Sequence, residues 1–190
     1  NPGILLLLKG EATDRFIAAA QEKFGGAPVG TLLSRSVEDG MERSVRALQT
    51  AGAEVLIGGQ RGGGTGYSFQ NTLLKVDGAH FLQDPEALQE EAFGNESLLI
   101  VADDIEQALD ITRHFEGNLT GCIYSDSQGE DEPLYGRIAP ILRTKVGRLL
   151  NDKMPTGVAV SSAMNHGGPY PATGHPGFTA VGLPASVLRF

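Results

Sequence analysis

The sequence predicts an α/β fold, a mostly parallel twisted sheet flanked by helices. Three observations predict it. Short continuous apolar runs at 4–8 and 98–102 have the length and character of strands buried on both faces. Between such runs lie stretches with apolar residues at helical spacing. Glycines or capping residues stand at most of the junctions, so strand and helix alternate along the chain.

In order, the run at 4–8 is bounded by Gly3 and by Lys9-Gly10 and reads as the first strand. Phe16, Ile17, Ala20 and Phe24 give a helix over 13–24, closed by Gly25-Gly26. Met41, Val45 and Leu48 fall on one face of a second helix over 36–50, with Gly52 beyond its end. A strand at 54–57, a glycine-rich turn at 58–66 and an extended stretch at 67–76 read as a hairpin or meander. Pro85 opens a helix that carries Glu90-Glu91, proline being tolerated in a first turn. After the strand at 98–102, Asp103 or Asp104 caps a helix with the stripe Ile105, Ala108, Leu109, Thr112 and Phe115. A strand at 119–124 and a polar loop at 126–132 follow. The longest helix is expected over 134–150, with Ile138, Ile141, Leu142, Val146 and Leu149 inward. The remainder is rich in Gly, Pro, Ser and Thr around a short strand at 157–160. A structureless tail that long, 167–182, is expected to serve function or a partner.

The totals exclude several classes. A net charge of −8, with no Lys/Arg cluster, argues against a nucleic-acid partner. The apolar start is too short to span a bilayer and lacks a signal peptide's basic front, so no membrane role is expected. The single cysteine, Cys122, excludes an internal disulfide and fits a reducing, cytoplasmic setting. The chain opens Asn1-Pro2-Gly3 without a methionine and ends on apolar residues 187–190, so it reads as an internal piece of a longer protein.

Few residues offer chemistry by themselves. The loop Gly58-Gly59-Gln60-Arg61-Gly62-Gly63-Gly64-Thr65-Gly66 fails both phosphate-loop spacings, and a strand rather than a helix follows it. Cys122 reads as a small core side chain inside a strand. His80, His114, His166 and His175 lack metal-ligand spacing, so no metal is expected. His114 reads as a surface residue. His166 lies in Asn165-His166-Gly167-Gly168-Pro169-Tyr170, where glycines suit either a ligand's close approach or a tight turn. The stretch Glu90-Glu91-Ala92-Phe93-Gly94, just before a buried strand, puts its side chains at a sheet edge, where α/β proteins bind ligands. Without further context the leading reading is the ordinary one, a solvated face for the glutamates and a core position for Phe93.

That stretch resembles the Glu-Glu-x-Phe-Gly-Pro motif of the aldehyde dehydrogenase superfamily. Glu116-Gly117-Asn118-Leu119-Thr120-Gly121 is similar to the family's turn into the next strand. Pro155-Thr156-Gly157-Val158, followed by Met164-Asn165-His166-Gly167-Gly168-Pro169-Tyr170-Pro171-Ala172-Thr173, resembles one branch of it. Enzymes of that branch prefer NADP and oxidise 2-oxoglutarate semialdehyde or fatty aldehydes. Asn1-Pro2-Gly3 resembles the end of the family's stretch around the nucleophilic cysteine.

The resemblance implies a catalytic domain over 1–190, cut just after a cysteine that would precede Asn1, so no nucleophile lies in this chain. The general base, the oxyanion asparagine and the dinucleotide-binding domain would also lie upstream, and the fragment alone is expected to be inactive. It implies that Glu91 accepts hydrogen bonds from the nicotinamide ribose of NADP (or NAD) and that Phe93 lies against the ribose and nicotinamide. It implies that Asn165, His166, Pro169 and Tyr170 line the channel for a small aldehyde substrate, oxidised through a thiohemiacetal on the upstream cysteine. The leading substrate is 2-oxoglutarate semialdehyde, and the full-length protein is expected to be a cytoplasmic homo-oligomer. A fatty-aldehyde dehydrogenase of the same branch is the alternative, as is a non-catalytic α/β ligand-binding or assembly module. Two departures stand out: Asn95 replaces the motif's proline, and the chain stops short of the family's C-terminal segment.

Overall fold

The computed structural model describes residues 3–154, 159–183 and 187. The chain forms two compact units, Asn1–Ile111 and Thr112–Phe190.

The first unit is built on a four-stranded sheet in the order β1-β4-β3-β2. Strand β1 (Ile4–Leu8) runs parallel to β4 (Glu96–Ala102), with Ile4 opposite Leu98 and Leu8 opposite Ala102. On its other side β4 pairs in parallel with β3 (Thr72–Asp77). Strand β2 (Glu54–Ile57) joins β3 antiparallel, with a bulge between Val55 and Ile57. The two inner strands explain the apolar runs. Leu98, Leu99 and Ile100 of β4 and Leu73 and Leu74 of β3 are buried, as strands covered on both faces require. The expected strand over 67–76 is shorter than predicted. Its first half is extended chain held by an isolated bridge between Arg61 and Phe69, and by the Asn71 amide donating to the Phe24 and Ala27 carbonyls.

Helix α1 (Glu11–Gly26) carries Glu11 and Asp14 in its first turn and Lys23 in its last, the arrangement that suits the helix dipole. Helix α2 (Arg35–Thr50) starts at Ser34, whose hydroxyl accepts from the Val37 N–H at 3.4 Å. Met41, Ser44, Val45 and Leu48 recur every three or four residues and are all buried. Met41 and Val45 form a core cluster with Phe69 and Ala92. After β3, Asp77 caps the single turn α3 (Gly78–Phe81) by accepting from the His80 N–H at 2.7 Å.

The helix predicted from Pro85 is not formed. Only a 3-10 turn, Ala87–Gln89, is present, and Glu90 leaves it at φ −59°, ψ 122°. A short helix needs a packed apolar stripe to offset its nucleation cost. Here only Leu88 and Ala92 are buried between Phe81 and β4, and the chain runs irregularly to seat both. Helix α4 (Ile105–His114) is capped by Asp104, which accepts from the Gln107 N–H at 2.9 Å.

In the second unit β5 (Asn118–Ile123) and β6 (Val146–Asn151) run parallel, joined by α5 (Glu132–Leu142). This corrects the long helix expected over 134–150. Pro140 lies within the helix and has no N–H to continue its ladder, and Gly147 is a poor helix former. The chain turns at Arg143, and residues 146–151 satisfy their backbone against β5 instead. Gly147 fits this course because a Cβ there would strike the His166 carbonyl oxygen and lie 2.6 Å from the Gly168 nitrogen. Among the described residues, six strands therefore form a four-stranded and a two-stranded sheet, with only β2 antiparallel. Of the short strand expected over 157–160, residues 157 and 158 lie outside the described residues, and 159 and 160 form no strand.

Candidate active site

The acidic stretch is shaped by what its small and buried residues touch. Leu88 and Ala92 point its backbone inward, and Gly94 lies flush on α2, where a Cβ would collide with the Met41 sulfur. Asn95 completes the turn. Its Nδ2 donates to the Phe69 carbonyl at 2.7 Å and to Asn71 Oδ1 at 2.9 Å, while its own carbonyl accepts from the Thr72 N–H. The rigidity that a proline ring would bring comes here from side-chain hydrogen bonds to the start of β3.

The two glutamates part ways on this frame. Glu90 accepts a hydrogen bond from the buried Ser44 hydroxyl of α2 at 3.4 Å. Both glutamates are exposed, but Glu91 has no hydrogen-bond partner among the described residues; Phe93 is 72% exposed, a large aromatic on the surface rather than in the core. At the first position of β4, Glu96 is only 4% exposed. Burial, and then the negative charge of Glu91, push its carboxyl up to about 8.

The edge involved is the amino-terminal edge of β4. Strands β1 and β4 begin together there, with the Leu98 N–H donating to the Gly3 carbonyl at 2.8 Å. Glu91 and Phe93 thus stand at the same sheet edge as the start of β1. Asn1 and Pro2 lie outside the described residues.

The glycine-rich loop has another role. Arg61, its one cation, bonds to Glu38, Asp39 and Glu42 of α2 at 2.6–2.8 Å, and the Ser68 N–H donates to Glu38. Those carboxylates occupy the guanidinium, so the loop is fastened to α2 and does not form a phosphate cradle.

The second unit holds the other predicted residues. Asn165 bridges to Ala180, and the His166 N–H donates to the Thr179 carbonyl. Gly168 abuts the Asn118 carbonyl, and Gly117 lies against the Pro169 carbonyl, so the loop packs across the starts of β5 and β6. Beside it is an open cleft of about 360 Å³, lined in part by Leu119, His166, Thr173, His175, Phe178 and Thr179. Of the four residues predicted to line a channel, only His166 reaches this cleft; Asn165 and Tyr170 are exposed, and Pro169 packs on Gly117. Sequence reasoning missed His175 and Phe178, whose rings stack at 4.4 Å. His175-Pro176-Gly177-Phe178 sits in the Gly/Pro-rich tail without periodicity, and only its pairing of ring residues around a turn marked it. Cys122 is half-buried in β5, and His114 is exposed as expected.

The model of the aldehyde dehydrogenase family matches residues 7–150. The chain belongs to that family. Over its whole length it is 35% identical to an alpha-ketoglutaric semialdehyde dehydrogenase of Azospirillum brasilense, covering 35% of that protein. It is 32% identical to an alpha-ketoglutaric semialdehyde dehydrogenase of Acinetobacter baylyi, covering 36% of it. The chain thus spans about a third of the length of the curated relatives it matches. Among solved aldehyde dehydrogenases, lactaldehyde dehydrogenase from Escherichia coli superposes with a TM-score of 0.67 at 21% identity, over 87% of this chain and 34% of that one. An NAD-bound betaine aldehyde dehydrogenase from Staphylococcus aureus superposes at 0.65 with 17% identity, over 86% of this chain and 33% of that one. These likenesses establish the fold. Among the described residues no helix is long and apolar enough to cross a membrane.

Proposed function

We propose that the protein carrying this chain oxidises an aldehyde to a carboxylic acid with NAD(P)+, and that 2-oxoglutarate semialdehyde is its leading substrate. The chain is read as the catalytic-domain portion. The nucleophilic cysteine and the dinucleotide-binding domain would be contributed by residues before Asn1. The observation that carries the reading is the separation of the two glutamates. Both carboxylates are exposed, but Ser44 donates to Glu90, whereas Glu91 has no hydrogen-bond partner among the described residues and stands with exposed Phe93 at the edge where β1 and β4 begin.

The residues suit the cofactor. A carboxylate is acceptor-only and can take both hydroxyls of a ribose diol in charge-assisted hydrogen bonds, and Glu91 offers one. Phe93 offers an exposed flat apolar face against which a ring can lie. When bound, NAD(P)+ accepts the hydride that the aldehyde loses. Glu91 and Phe93 would hold and orient it, and β4 and Asn95 would hold them. The identity to two semialdehyde dehydrogenases across the whole chain supports the substrate class. The same reading includes a preference for NADP, supported by the likeness of the 155–173 stretch to an NADP-preferring branch. It also includes a cytoplasmic location, supported by the lone cysteine, and a homo-oligomeric enzyme.

The test is Glu91→Gln in the full-length enzyme. Losing charge-assisted hydrogen bonds to the cofactor is expected to slow hydride transfer or weaken cofactor binding by about tenfold or more. Unchanged turnover together with unchanged cofactor affinity would sink the assignment.

A further inference from the structure

Among the described residues Glu96 is the only Asp, Glu, Lys or Arg that the fold buries. A buried carboxyl needs a reason, because its charged form is costly away from water. This one lies on the edge that carries Glu91 and Phe93, at the first position of β4. In register it stands beside Thr72 of β3, and two residues along, the Leu98 N–H donates to the Gly3 carbonyl at the start of β1. After burial, the charge of Glu91 is what disfavours its ionisation, so the two carboxyls are close. The other charged groups on the surrounding elements are turned or bonded elsewhere. Glu90 is exposed and accepts from Ser44, Lys75 of β3 pairs with Glu54 at 3.9 Å, and Asp77 caps α3. Strand β1 carries no charged residue, and those of α2 lie outside its buried face of Met41, Ser44, Val45 and Leu48.

A carboxyl kept protonated by burial and one like charge responds strongly to a positive charge that comes and goes nearby. The nicotinamide ring is such a charge, cationic when oxidised and neutral once it holds the hydride. We propose that Glu96 is a positioning residue that couples the oxidation state of the cofactor to a proton. Glu96 holds the proton while the edge is empty or carries NAD(P)H. It releases the proton to water when Glu91 and Phe93 hold NAD(P)+, and takes one back after hydride transfer. The proposal rests on the reading of Glu91 and Phe93 as cofactor residues and deepens it. Ionised Glu96 favours the oxidised form at the edge, and the loss of ring charge loosens the reduced form. The complex with NAD(P)+ thus binds fewer protons than the free enzyme, so affinity for it rises with pH, up to about pH 8 where free Glu96 ionises.

The test titrates NADP+ and NADPH into the full-length enzyme, wild type and Glu96→Gln, between pH 6.5 and pH 9. The two nucleotides carry the same phosphates, so the ratio of their dissociation constants isolates the ring charge. In wild type, preference for NADP+ over NADPH is expected to grow about tenfold across that range, the effect of a one-unit shift in one carboxyl. In Glu96→Gln most of that growth is expected to be gone. Calorimetry of wild type alone, in two buffers of different ionisation enthalpy between pH 7 and pH 8, gives a second reading that needs no variant. It should show net proton release on binding NADP+ and none on binding NADPH. The same pH dependence of the ratio in both proteins, a flat ratio in wild type, or equal proton release for both nucleotides overturns the proposal. Each of those results leaves the dehydrogenase reading standing. Wild-type enzyme that binds neither nucleotide removes both.

Discussion

Glu96→Gln is expected to stabilise the full-length protein, and only above acidic pH. Glu96 is 4% exposed at the start of β4, beside the charge of Glu91, and its carboxyl is pushed from the ordinary value of 4.5 up to about 8. The folded state therefore holds this proton more tightly than the unfolded chain does. Wherever the native state binds more protons than the unfolded state, stability falls as pH rises. The contribution is complete below pH 4.5 and is lost progressively up to about pH 8. Each pH unit in that window costs about 1.4 kcal/mol, so at pH 7 the loss is on the order of 3 kcal/mol. Glutamine has the shape of the protonated acid without its titration. Denaturant unfolding of wild type and Glu96→Gln at pH 5 and pH 8 is the assay. The two proteins should be similar at pH 5, and the variant should be more stable at pH 8, by up to a few kcal/mol. Parallel pH dependence in both proteins would refute the reasoning, because the titrating group would then lie elsewhere.

Two further substitutions probe how the site is held. Gly147→Ala places a methyl against the His166 carbonyl and 2.7 Å from the Gly167 carbonyl carbon, backbone that cannot rotate away. It should cost about 1–3 kcal/mol in unfolding experiments and alter KM for the aldehyde, because the loop carrying His166 must shift. Asn95→Ala removes the donors to the Phe69 carbonyl and Asn71 Oδ1, and should cost about 2 kcal/mol of stability while weakening cofactor binding measured by titration.

Much of the first unit was legible because its information is local. The unbroken apolar run at 98–102 requires two covered faces, and β4 lies between β1 and β3. The three- and four-residue spacing of Met41, Val45 and Leu48 requires one buried stripe, and α2 buries it. The long helix over 134–150 failed because Ile138 through Leu149 fit a helical stripe, while the alternative for 146–151 is a partner strand more than twenty residues away. Only Pro140 and Gly147 argued against helix from within the stretch. The helix at Glu90-Glu91 failed for the opposite reason, since the local pattern was helical but too little of it found anything to pack on. Glu91 and Phe93 were found through a motif; the exposure of Phe93 departs from the core reading, while the exposure of Glu91 is what a solvated face also shows. The buried state of Glu96 carried no local mark, because it depends on what the fold brings beside it.

The direct comparison is between the two adjacent glutamates. Glu90→Gln and Glu91→Gln remove the same charge one residue apart, and both residues are exposed, but only Glu90 accepts a hydrogen bond from Ser44 among the described residues. Single-turnover reduction of NAD(P)+ with saturating aldehyde, measured on both variants of the full-length enzyme, separates them. The account predicts near wild-type hydride transfer for Glu90→Gln and a loss of about tenfold or more for Glu91→Gln. Equal losses in the two variants, or a loss confined to Glu90→Gln, would contradict it.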